Sequence, residues 1–171
     1  MKRSITALPL LVLVFLSVSC SKSGNNANND VQKKKAEDLA AYLLNKNFQP
    51  TAFYSDHPID FDQSDNVVKQ ETDLWGYVRP YIKDDLNSFE ANGVLVVNQG
   101  ALTIAGSDSA QLHRIYSISY DNNNVYLHFV DYNYEPLQYT LSQFDDTGLV
   151  LYVTWDLDPA VKLYSRFERK Q

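Results

Sequence analysis

The chain has 171 residues, 44% of them hydrophobic and 21% charged, with a formal net charge of −6. An acidic balance excludes the basic surface that nucleic-acid binding needs. The single cysteine excludes a disulfide framework, and no thiolate metal site can form in the folded part.

The chain opens MKRSITALPLLVLVFLSVSC. Lys2 and Arg3 form a positive start, and Ile5–Val18 is an apolar run too short to span a bilayer comfortably. It ends in small residues at Cys20. This pattern reads as a bacterial lipoprotein signal, with Ser17 where Leu or Val is commoner, and Cys20 becomes the lipidated first residue of the mature chain. Loss of residues 1–19 removes Lys2 and Arg3 and moves the formal charge from −6 to −8. The expected organisation is a signal peptide over 1–19, a flexible Asn-rich tether over 20–31 and one β domain over 32–171. The expected location is the outer membrane, held by the lipid on Cys20 and facing either the periplasm or the cell surface.

KKKAEDLAAYLLNKN places Leu39, Tyr42, Leu43 and Lys46 at helical spacing, predicting a short amphipathic helix that ends before Pro50. The period then shortens to two. Thr51–Asp56 alternates as a strand, and SFEANGVLVV reads as two strands around Asn92-Gly93. Ala101–Ala105 is a further short run. His113–Tyr120, Val125–Asp131, Leu137–Phe144, Gly148–Trp155 and Val161–Glu168 follow, separated by DNNN, NYEP, DDTG and DLDP. In the last strand Val161, Leu163 and Phe167 oppose Lys162, Arg166 and Glu168 across the two faces. The fold class is therefore mainly β: an antiparallel, lipocalin-like meander or barrel of about eight strands with a short N-terminal α-helix.

The long connection Asp56–Asp85 is the exception. TDLWGYVRPYIKDD offers Leu74, Val78 and Ile82 at helical spacing, with Pro80 shortening or bending any helix, as a cover over one barrel end. The same connection holds DFDQSDNVVKQE, whose Asp60, Asp62, Ser64 and Glu71 match the first, third, fifth and twelfth places of a calcium loop. Asp65 stands where glycine makes the sharp turn, and Val68 supplies no side-chain oxygen. The stretch is read as a solvated polar turn without metal, in which Asp60 and Asp62 accept backbone bonds. A weak calcium site at Asp60, Asp62, Ser64 and Glu71 is the alternative.

Tyrosine is abundant, at 12 residues, and Tyr116, Tyr120, Tyr126, Tyr132, Tyr134 and Tyr139 fall on adjacent strands and turns. Rings with polar tips suit an amphipathic small molecule, a sugar or a protein surface. The candidate ligand-binding residues are Trp75, Tyr77, Tyr116, Tyr126, His128 and Tyr139. Alternation sets Tyr126 and His128 on the face opposite Val125, Leu127 and Phe129, which is the outside if the apolar set packs the core. His57, His113 and His128 have no local Ser or Cys at a catalytic spacing, and the carboxylate pairs Asp84/Asp85 and Asp145/Asp146 read as solvated turns. No catalysis and no cofactor are expected.

The run PIDFDQSDNVVKQETDL, then KDDLNSFEANGVLVV, then a Tyr-rich meander ending GLVLYVTW and VKLYSRFERK, resembles the lipocalin-like domain lipoproteins of Gram-negative bacteria. The likeness covers about residues 50–170 and rests on Asp60, Asp62 and Asp65, on Asp84 and Asp85, and on Phe89, Asn92 and Gly93. It implies a lipocalin-like barrel and a role in binding a hydrophobic ligand or a partner. Two expectations follow. One is a barrel holding a small apolar or amphipathic ligand. The other is a filled barrel whose Tyr-rich surface docks on an envelope protein complex or glycan. Replacing Cys20 with Ala is expected to release the protein from membrane fractions. Retention of that variant in carbonate-washed membranes would remove the lipoprotein reading.

Overall fold

The structure is a computed structural model describing residues 26–62, 68–103, 110–130 and 136–171. Helix α1 (Asn26–Leu43) is followed by strand β1 (Asn47–Ile59), strand β2 (Glu71–Asp73), a 3-10 turn (Trp75–Tyr77) and the four-residue helix α2 (Pro80–Lys83). Strands β3 (Leu86–Phe89), β4 (Val94–Asn98), β5 (Gln111–Tyr120), β6 (Val125–Val130), β7 (Pro136–Asp145), β8 (Gly148–Trp155) and β9 (Asp158–Lys170) complete the chain.

Helix α1 buries Ala36, Leu39, Tyr42 and Leu43, one stripe at helical spacing. It starts at Asn26, five residues before the expected tether ends, and Val31 in this first part is 61% exposed. The Asn-rich turns extend a helix whose buried stripe lies downstream, because adding a turn to an existing helix costs far less than starting one. Asn45, at φ 56°, turns the chain, and Lys46 lies beyond the helix with its ammonium 4.4 Å from the Tyr42 ring centroid.

Every consecutive pair from β3 to β9 is antiparallel, and β1 pairs with both β3 and β9, so these eight strands close into a barrel. Strand β2 attaches to the far half of β1 through Tyr54 and Ile59. Pro50 is tolerated within β1 because the β1–β9 register shifts between Pro50 and Ala52, at a bulge. The β3–β4 hairpin turns where expected, with Gly93 at φ 76° and its notional Cβ only 3.3 Å from the Tyr116 carbonyl. Ala101–Thr103 forms a bend instead of the expected strand start, and residues 104 and 105 lie outside the described residues. Asp131 likewise lies outside them, and Val125–Val130 is strand.

Two apolar clusters occupy the two ends of the barrel. At one end Leu39 and Leu43 pack with Phe48, Phe89, Val125, Leu127, Leu141 and Leu149, so α1 forms a floor. At the other, Ile59, Leu74, Val161 and Leu163 form a smaller cluster with Phe53, Phe61, Tyr77, Val153 and Trp155. No described helix is long and apolar enough to cross a membrane.

Aspartates organise the turns. Asp121 Oδ1 accepts from the amides of Asn123 and Asn124, both at 2.8 Å, and its Oδ2 accepts from the Tyr126 hydroxyl at 2.7 Å. Asp145 accepts from the Thr147 hydroxyl and amide, and Asp56 accepts from the Lys162 amide across the barrel seam. These bonds hold all three carboxyls below their usual range, chiefly through Tyr126 for Asp121, Thr147 for Asp145 and the Lys162 amide for Asp56. A carboxyl depressed in the folded state stabilises fully above its unfolded pKa of about 3.9 and ceases to do so as pH falls through its folded value. Denaturant unfolding is therefore expected to show stability level near neutrality and falling below about pH 4. Asp121→Asn keeps the acceptor oxygen but not the charge, and should lower neutral stability while flattening the acid loss.

Candidate functional site

Inner residues of the barrel and the cover segment from Trp75 to Asp85 line a cavity of ≈ 500 Å³. That size suits a drug-sized ligand, for which cavities of about 300–1,000 Å³ are usual. Its depth is apolar: Phe48, Phe89, Leu95, Leu149, Leu151 and Phe167 line it above α1. Phe53 meets Phe61 edge-on at 5.6 Å, and Phe61 meets Tyr77 at 5.3 Å, extending the aromatic wall from β1 to the cover.

The cover is not the single bent helix that Leu74, Val78 and Ile82 predict. Pro80 opens α2 at its first turn, where a missing N–H costs nothing, and the preceding residues form β2 and the 3-10 turn. Leu74 is fully buried and its amide donates to the Phe53 carbonyl at 2.9 Å, pinning the segment to the barrel rim. The Tyr77 hydroxyl donates to Glu71 Oε2 at 3.1 Å, and that bond raises the Tyr77 pKa. The Lys83 ammonium lies 4.8 Å from the Trp75 ring centroid, while Gln49 donates to the Lys83 carbonyl.

Of the six candidate ligand-binding residues, Trp75, Tyr77 and Tyr139 line the cavity. Tyr139 packs on Phe129 at 5.3 Å, and burial pushes its phenol up. Tyr116 also points inward, but it lies at the floor end, edge-on to Phe89 at 5.0 Å with its hydroxyl donating to the Glu90 carbonyl. Tyr126 and His128 stand on the outer face, opposite buried Val125 and Leu127. There Ser119 Oγ lies 2.7 Å from His128 Nε2, a pairing across β5 and β6 that no sequence spacing announces. Burial lowers the His128 pKa. Tyr120 packs against the floor-end core, and Tyr132 and Tyr134 lie outside the described residues.

Among the described residues, three charged side chains that the sequence did not point to as site residues line the cavity wall. Asp85 is only 3% exposed, which corrects the solvated reading of Asp84/Asp85. Its neighbour Asp84 accepts from the Leu102 amide at 3.1 Å, and a Cβ at Gly100 would stand 2.4 Å from the Asp84 carboxyl carbon, so a side chain there would displace that carboxylate. Arg114 lines the wall from β5, donating to the Val130 carbonyl at 3.1 Å, and Arg79 lines it from the cover, donating to the Tyr81 hydroxyl at 2.9 Å. Arg114 was detectable: alternation puts it on the face of Tyr116 and Ile118.

In the acidic loop, Ser64 lies outside the described residues and Glu71 belongs to β2. Among the described residues no group of three or more His, Cys, Asp or Glu is arranged to hold a metal. No family model, curated protein or solved structure matches the chain.

The cover depends on one buried anchor. Leu74→Ala is expected to cost about 2–4 kcal/mol by leaving a cavity in the rim cluster. Hydrogen exchange should accelerate across residues 71–83 more than across β8 and β9.

Proposed function

We propose that this protein is a non-catalytic, lipid-anchored lipoprotein of the cell envelope that holds a small apolar or amphipathic ligand inside its barrel. The observation that carries the reading is the cavity of ≈ 500 Å³ behind a cover of Trp75, Tyr77 and Ile82. An apolar interior of that size with a few polar groups at one end is the usual form of a small-molecule site. The lipocalin-like resemblance agrees with it, and the signal-like N-terminus ending at Cys20 supports anchoring at the outer membrane.

A second reading is supported by the outside of the barrel. Tyr54, Tyr164, Tyr152, Thr140 and Tyr126 are successive cross-strand partners on β1, β9, β8, β7 and β6. Tyr54 and Tyr164 stack at 5.1 Å with planes 7° apart, and Lys162 lies over Tyr152. Such a row suits docking on an envelope protein or a glycan.

Native mass spectrometry of protein purified from its own host separates the two. A bound small molecule that disappears in Ser165→Trp, whose ring would occupy the cavity from the inner face of β9, is the expected result. An empty barrel that copurifies with a macromolecule and loses it on Tyr152→Ala would favour the second reading instead. Circular dichroism of Ser165→Trp should retain the β spectrum.

A further inference from the structure

The cavity's deep wall is hydrocarbon and aromatic, from five strands above α1, and Arg79, Asp85 and Arg114 are the charged groups among the described lining residues. Arg114 stands on β5 opposite Leu95, between Leu112 and Tyr116. Arg79 and Asp85 flank α2 in the cover segment, and Arg114 reaches the Val130 carbonyl near the mouth end of β6. The charged groups are unequal in number and in reach. Among the described residues two guanidinium groups line the wall against one carboxylate, and Asp85 is almost wholly sunk while Arg79 is exposed at the rim. The inward bias toward positive charge runs against the acidic balance of the whole chain, at −6.

From this we propose that the occupant is a singly anionic amphiphile, its apolar body on the α1 floor and its acidic head at Arg114 and Arg79. The inference rests on the ligand-binding reading above and specifies the class of ligand. A guanidinium group presents paired donors matched to a carboxylate or a sulfonate, and its strength rises where water is displaced. A cationic head entering the same mouth would face two like charges and could reach only the sunken carboxylate. A neutral head would gain hydrogen bonds without charge assistance.

The test uses the purified protein and N-phenyl-1-naphthylamine, a neutral apolar dye that fluoresces on entering a dry cavity. Decanoate, decanol and decylamine share one chain length and differ in head charge, and each is used to displace the dye. Decanoate should displace it at roughly tenfold lower concentration than decanol, with decylamine weakest. Arg79→Leu, at an exposed position that does not risk the core, should reduce that preference. Arg114→Leu should bring the decanoate-over-decanol preference close to one, and Arg114→Lys should keep part of it. If the dye binds but the three chains compete equally, or decylamine competes best, the anionic inference is overturned and the binding reading stands. If neither dye nor chains bind to protein freed of bound lipid, both fall together.

Discussion

The pairing of the first strand with the last is the constraint on which everything else depends. Strand β1 must meet β9 over Asn47–Ser55 to remove two sheet edges at once, and closure leaves each inner side chain facing a shared interior. The seam tolerates Pro50 only because the register shifts there. Beside it, a Cβ at position 148 would lie 2.1 Å from the Phe167 carbonyl, so β8 can begin against β9 only with glycine. Asp56 reaches the Lys162 amide along the same seam, adding a side-chain tie where the backbone ladder ends.

Once the barrel is closed, its two ends are treated differently, and the cavity follows from that difference. The floor receives a helix that brings Leu39 and Leu43, both wholly buried, among the inner residues of β1, β3, β6, β7 and β8. The other end receives an irregular segment that inserts only Leu74 deeply, with Phe61 and Tyr77 as a partial wall. A helix stripe fills space efficiently. A short strand, a 3-10 turn and a four-residue helix do not, and the volume between them and the floor stays open.

Much of this was readable in the residues. Period-two alternation in Val161–Phe167 and Val125–Phe129 set the inner face, and Asn92-Gly93 and the aspartate turns set most of the connections. Distance along the barrel axis was not readable, because a period of two separates inside from outside and says nothing of height. Tyr116 and Tyr139 therefore looked alike, yet one lies in the filled end and the other on the cavity wall. Asp85 was misread for a related reason: adjacent carboxylates in a turn are normally solvated, and its burial depends on a cover whose packing is tertiary. Pro80 told correctly that a helix could not run through, but not that it would begin one.

The position of the floor has a consequence for how such a protein would stand in the envelope. Five residues separate Cys20 from the start of α1 at Asn26, a reach of roughly 20 Å when extended. With lipid on Cys20, the leash joins the helix that seals the barrel, on the side away from the mouth. The molecule would then stand on its base like a cup on a table, its opening turned toward the aqueous space. Cargo would be exchanged with soluble carriers or free solute, and not drawn sideways from the leaflet that holds the anchor.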